Sequence, residues 1–150
     1  MPLSKHYIDM QDEPVPLAAA AIADLLEGDF PQISFAVVLG SAAQGTVGPH
    51  SDLDLAVFCT QGLSLDERLA LIRGVEELHQ GVRCDLGFLN LAEPVFRFEA
   101  LKGRLILKRD EETWRRFYST TCREYETQIF HYDKQRRYRL RAQRQARRDE

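Results

Sequence analysis

Leu39–Phe58, LGSAAQGTVGPHSDLDLAVF, is the stretch from which the rest of the chain can be read. It joins Gly40-Ser41, a spacer of ten residues and Asp52-Leu53-Asp54. Upstream, Ile33, Phe35, Ala36, Val37, Val38 and Leu39 have the length and β-branched content of a buried strand, so the Gly-Ser pair falls at a strand end. A glycine there lets the backbone approach a ligand closely. Backbone N–H groups at a helix start beyond it would favour phosphate oxygens through unpaired donors and the helix dipole. Ser41 adds a hydroxyl. Downstream, Asp52 opens a second strand-like run that ends at Cys59. Side chains alternate along a strand, which puts Asp52 and Asp54 on one face and Leu53, Leu55 and Val57 on the other. Two carboxylates roughly 6.5 to 7 Å apart can lean together onto a divalent cation, and Mg²⁺ suits carboxylate oxygens combined with substrate phosphates. A polar strand edge or an ordinary turn explains either half alone. The two together, at this spacing and after a buried strand, point to an active site.

At these residues the sequence resembles the nucleotidyltransferase superfamily that includes DNA polymerase β, whose signature is Gly-Ser, a spacer and Asp-x-Asp. That family carries a third carboxylate on a later strand, and Val82–Leu89, VRCDLGFL, offers Asp85 as the match. Many relatives have an arginine directly before the loop's next glycine, where this chain has Gln44 before Gly45. The resemblance implies an α/β (α+β) fold of the polymerase β-like type: a mixed sheet of about four strands flanked by helices, with a long C-terminal helix.

At 150 residues the chain is one domain by length, large enough for a core without staples. Its 44% hydrophobic and 29% charged content is ordinary for a soluble globular protein. The longest apolar run, Leu17–Ala23, is too short to span a bilayer. The N-terminus lacks the basic, apolar and cleavage regions of a signal peptide, so a cytoplasmic protein without membrane contact is expected. Cys59, Cys84 and Cys122 are odd in number and widely spaced, which reads as reduced, mostly buried thiols without zinc or disulfide. The net charge of −3 conceals an asymmetry: residues 134–150 hold eight Lys or Arg against two acids, +6, so residues 1–133 carry −9. We therefore divide the chain into a body at 1–133 and a basic helical tail at 134–150.

Residues 1–12 read as a loose lead-in, and Pro14 and Pro16 discourage helix before Leu17. A first helix is expected from Leu17 to Glu27 with Gly28 as its C-cap. Gly45, Gly48 and Pro49 mark a loop, with one helical turn straight after Ser41, and His50 reads as an exposed loop residue. Ser64 and Glu67 form a capping-box start for a second helix that runs to Gly81. Strand, helix, strand over residues 52–89 suits a crossover burying that helix on the sheet. Pro94 opens a third helix that ends in a cap at Gly103, and Arg104–Lys108 follows as a short strand. Asp110 caps the last helix, along which Trp114, Phe117, Thr121, Tyr125 and Ile129 recur at helical spacing. Core or partner packing explains that stripe better than base stacking. From Lys134 onward a solvated helix is the plain reading. The functional alternative is an arginine surface for an acidic protein partner, a nucleotide phosphate or nucleic acid, the last least favoured.

The small size, together with Asp85–Asn90, Pro94–Glu99 and Gly103–Leu107, is similar to minimal nucleotidyltransferases, the antitoxin half of HEPN/MNT pairs. That resemblance implies ATP and Mg²⁺ as substrate and cofactor, and transfer of AMP to a tyrosine of a partner HEPN ribonuclease toxin, which silences it. Asp52, Asp54 and Asp85 would be the catalytic and metal-holding residues, and Gly40 and Ser41 would hold the nucleotide phosphates. Two other readings stay open. One is a small-molecule nucleotidyltransferase of the aminoglycoside type, although the charged helix from Asp110 hardly supplies a concave pocket for such an acceptor. The other is a non-catalytic antitoxin that neutralises its partner by binding and occlusion. Homo-oligomers or a hetero-oligomer with the toxin are both compatible with the sequence.

Overall fold

The computed structural model describes residues 13–48 and 50–149, so the expected lead-in at 1–12 and Pro49 of the spacer lie outside the described residues. In chain order the elements are β1 (Val15–Pro16), α1 (Ala19–Asp29), β2 (Ile33–Leu39), a 3-10 turn (Gly40–Gln44), β3 (Thr46–Val47), β4 (Leu53–Cys59), α2 (Leu65–Leu78), β5 (Cys84–Phe88), α3 (Pro94–Leu101), β6 (Arg104–Lys108) and α4 (Glu111–Arg148). Four strands form a mixed sheet in the order β5-β4-β2-β6. β2 is antiparallel to both its neighbours, and β4 runs parallel to β5 with α2 as the crossover between them. The expected mixed sheet with flanking helices and a long C-terminal helix is thus present.

Both faces of the sheet are covered, which is why β2 is buried along almost its whole length and apolar at every position but Ser34, rather than alternating. On one face Ala36, Val38, Leu53, Leu55 and Val57 pack with Ile22 and Leu26 of α1 and Leu71 and Val75 of α2. On the other, Phe35, Val37, Ala56 and Phe58 meet Ala100 of α3 and Trp114 and Phe117 of α4. Phe35 is the hub of that second core, with Phe58, Trp114 and Phe117 rings all 4.9 to 5.0 Å away. The aromatic stripe of α4 is core as far as Tyr125, which stacks on Phe98 with centroids 3.8 Å apart.

Local signals placed most elements. Ser64 accepts from the Glu67 backbone N–H while the Glu67 side chain accepts from the Ser64 N–H, the expected capping box, and Asp110 accepts from the Glu112 and Thr113 N–H groups. Three expectations need correction. The first helix starts at Ala19, not Leu17, and runs through Gly28 to Asp29, with Phe30 as C-cap. Leu17 is withheld because its N–H donates to the Gly45 carbonyl, beside a β1–β3 ribbon that no periodicity announced. The extra turn survives because the Arg109 guanidinium donates to the Leu26, Glu27 and Phe30 carbonyls, satisfying the helix end that glycine was expected to close. Third, Lys102 and not Gly103 is the C-cap of α3. Gly103 is required by close approach: a Cβ there would stand 2.5 Å from Val37 Cγ1 and 2.6 Å from the Val38 carbonyl oxygen.

His79 is fully buried and ties α1 to α2. Its Nδ1 donates to the Val75 carbonyl at 2.8 Å, which leaves Nε2 to accept from the Ala18 N–H at 3.0 Å, at the start of α1. His79→Ala removes that acceptor, orphans a backbone N–H and opens a cavity, and is expected to cost about 2–4 kcal/mol in urea denaturation.

At 38 residues α4 is about 57 Å long, far more than the domain can cover. Every residue from Glu126 to Asp149 is exposed, so the basic stretch projects from the body as a solvated helix continuous with the buried part.

Candidate active site

The turn after β2 and the carboxylates of β4 and β5 meet because of strand register. β2 and β4 pair antiparallel with Leu39 opposite Asp54, which brings Gly40 against the Asp54 side chain. Gly40 has φ +69°, and a Cβ built on it would stand 3.4 Å from Asp54 Oδ2. Glycine is needed here on both counts, left-handed backbone and proximity to a carboxylate. β4 and β5 pair parallel with Asp54 beside Asp85, so the third carboxylate lies on the neighbouring strand at the same level. Asp52 stands one residue before β4 rather than inside it. Asp54, like Ala56 and Phe58, lies on the face opposite Leu53, Leu55 and Val57, as alternation required. α3 and α4 cover this face farther along, and the end carrying the carboxylates forms a hollow of about 230 Å³ lined by Leu39, Asp54, Leu55, Asp85, Gly87 and Phe96.

The electrostatics of this end are unfavourable in the bare protein. Burial pushes the Asp54 carboxyl above the ordinary aspartate range, and the charges of Asp85 and then Asp52 push it further the same way. A raised folded-state pKa means that Asp54 contributes stability below its unfolded pKa and loses that contribution as pH rises through the folded value. At neutral pH its ionisation therefore opposes folding. Asp54→Asn is expected to raise the melting temperature of the metal-free protein at pH 7. The gain is small, about 1–3 °C, because the carboxylate is partly open to solvent. A scanning calorimetry trace checks the sign.

Like charges held together invite a cation. The donors are all carboxylate oxygens, the hard ligands Mg²⁺ prefers, and among the described residues no three His, Cys, Asp or Glu side chains make a closed metal cage. Mg²⁺ does not require one, since it keeps waters and takes one or two carboxylates together with substrate phosphates. The residues present therefore fit that ion. The helical turn expected at Ser41 is present as a five-residue 3-10 turn, Gly40–Gln44, closed by Gly45 at φ +112°, so it supplies backbone N–H groups and the Ser41 hydroxyl but little helix dipole. Ser41 and His50 are exposed.

Gly87 and Phe96 are members of the hollow that sequence reasoning passed over. A signal existed in the glycine two residues after Asp85 on the same strand face, where a side chain would have met Phe96. The thiols behave as foreseen: Cys59 and Cys84 are buried, Cys122 is half-buried and all are free. Burial, followed by the charges of Glu76, Asp85 and Asp54, pushes the Cys84 thiol up to about 12, which keeps it protonated beside the carboxylates.

Residues 21–112 match the family model described as polymerase beta, nucleotidyltransferase. No curated protein matches the chain significantly. Among solved structures, a toxin–antitoxin complex with AMP-PNP is similar at 24% identity and TM-score 0.63, over 74% of this chain and 89% of that one. A tri-AMPylated Shewanella oneidensis HEPN toxin in complex with MNT antitoxin is similar at 20% identity and TM-score 0.57, over 73% and 84%. The toxin–antitoxin MntA-HepT gives 20% identity and TM-score 0.57 over 73% and 85%. At these identities the likeness is one of fold. No helix among the described residues is long and apolar enough to cross a membrane.

Proposed function

This chain belongs to the polymerase beta nucleotidyltransferase family, whose model matches residues 21–112, and on that premise we propose that it is a cytoplasmic antitoxin that transfers AMP from ATP to a tyrosine of a HEPN-type toxin. The observation that carries the reading is the convergence, by strand register, of the Gly40-Ser41 turn with Asp54 and Asp85 at the open end of the sheet. The AMP-PNP complex and the tri-AMPylated toxin among the structural neighbours support the nucleotide and the class of acceptor. The position of the site at the end of the sheet, rather than deep between domains, suits a side chain presented on a protein segment.

In this reading Gly40 and Ser41 hold the phosphates that leave as pyrophosphate, the backbone passing close because no side chain intervenes. Asp52, Asp54 and Asp85 would hold Mg²⁺, which when bound neutralises phosphate charge at the reacting centre. The acceptor hydroxyl attacks the α-phosphorus in line with the departing oxygen, its proton passing to solvent or a neighbouring carboxylate. Positioning rather than an acid–base pair carries most of the barrier reduction, so the site works without a histidine. The tail at 134–150 serves docking. Calorimetric titration with Mg-ATP tests the nucleotide half directly. The parent should bind, and the variant carrying both Asp52→Asn and Asp54→Asn should bind at least about tenfold more weakly. Equal affinity would remove the metal-site assignment.

A further inference from the structure

The hollow has two flanks, and only one has been given an occupant. Across the sheet the order β5-β4-β2-β6 sets the Gly40-Ser41 turn at the end of β2, Asp54 in the middle on β4, and Asp85 with Gly87 on the outer strand β5. Phe96, from the first turn of α3, closes the β5 flank. Its Cζ lies 3.3 Å from where a Cβ on Gly87 would be, and yet the residue is 39% exposed. Its ring is therefore laid against glycine on one side and partly open to solvent on another, beside two carboxylates. What sets Phe96 apart from the chain's other exposed apolar side chains is its place, since it lines the same hollow as Asp54 and Asp85 and offers a substrate there an aromatic face.

An in-line displacement fixes which substrate that is. The attacking oxygen enters opposite the leaving pyrophosphate. With the pyrophosphate on the β2 turn, the acceptor enters from the opposite flank of Asp54, where strand order places Asp85 and Gly87 and where Phe96 lines the hollow. We infer that Phe96 is a positioning residue for the acceptor, and that it selects an aromatic hydroxyl by packing against its ring while the hydroxyl points back toward Asp85 and Asp54. This rests on the transfer reading for the direction of attack. A serine or threonine acceptor would leave the ring uncovered, whereas a phenol's length lets its ring lie on Phe96 and its oxygen reach the site.

The test takes N-acetyltyrosinamide as acceptor probe and N-acetylserinamide as control. NMR titration follows each on protein holding Mg²⁺ and a non-hydrolysable ATP analogue, with the Mg-ATP affinity of the same variants read by calorimetry. Parent protein should bind the tyrosine probe saturably and the serine probe about tenfold more weakly or not at all, with the Phe96 ring protons shifting as the site fills. Phe96→Leu keeps apolar bulk without a ring face and should lose about tenfold in tyrosine-probe affinity, Phe96→Trp should retain it, and Mg-ATP affinity should stay within about twofold in both. Equal binding of the tyrosine probe by Phe96→Leu overturns the inference. So does a loss of Mg-ATP affinity in that variant matching its loss of probe, which would assign Phe96 to the adenine instead. No readout here needs AMP to move, so failure leaves the transfer reading intact. A protein that binds the probe as expected but never modifies its partner would count against the transfer reading alone.

Discussion

Substituting asparagine for both Asp52 and Asp54 is expected to lower AMP transfer at least about 10³-fold, because the site loses the two charges that hold a cation against the triphosphate. The fold should survive. Asp54 is a net cost to the metal-free protein at neutral pH, and both side chains lie at the open end of the sheet rather than in either core. Binding of the partner should survive as well, which makes this variant the means of separating catalysis from occlusion. A toxin fully silenced by the double variant would mean that contact alone suffices. The same site carries a pH signature. In the metal-free protein Asp54 takes up a proton at a higher pH than an ordinary aspartate, so protons compete with Mg²⁺ for it and transfer at limiting Mg²⁺ should decline as pH falls, with the loss reversed by excess Mg²⁺. Rate measurements from pH 8 downward, compared with a partner-binding curve over the same range, isolate that loss.

Deleting residues 134–150 is expected to slow association with an acidic partner about 10- to 100-fold at low salt, with the difference closing as salt rises, and to leave Mg-ATP affinity unchanged. The geometry favours this division of labour. The tail carries +6 against a body of −9 and projects along a continuous helix, every described residue of it exposed, so none of its arginines is packed against the hollow at Asp54. The competing account has a tail arginine fold back to clamp the triphosphate in place of the arginine that Gln44 does not supply. Under that account the truncated chain would lose nucleotide affinity with no partner present, so calorimetry on the truncated chain alone decides between them.

What was legible in the sequence followed from the range of the causes. The Ser64 capping box, the Asp110 cap, Pro94 at the start of α3 and the apolar runs of β2 and β4 are local signals, and each of these elements starts within a residue or two of its expected place, although α2 ends at Leu78 and not at Gly81. α1 was misplaced because its ends are set from afar: His79 meets the Ala18 N–H from 61 positions along the chain, and Arg109 reaches the Leu26 carbonyl from 83. The β1–β3 ribbon has two residues on each side, one of them a proline, and offers no period to detect. In the site, Asp52 and Asp54 were legible from spacing and alternation. Asp85 was legible only through resemblance, since its place beside Asp54 depends on a parallel pairing that no local pattern encodes. Phe96 depends on that pairing, on the absent side chain of Gly87 and on the packing of α3, three conditions that meet only in the folded chain.

The central claim is that this protein acts by modifying its partner, and intact mass spectrometry of the cognate HEPN-type toxin after incubation with the protein, ATP and Mg²⁺ addresses it most directly. The account predicts a toxin heavier by the mass of one AMP moiety for each transfer, mapped to tyrosine and absent when the Asp52→Asn, Asp54→Asn variant is used. A toxin that is fully inhibited yet unchanged in mass would contradict it.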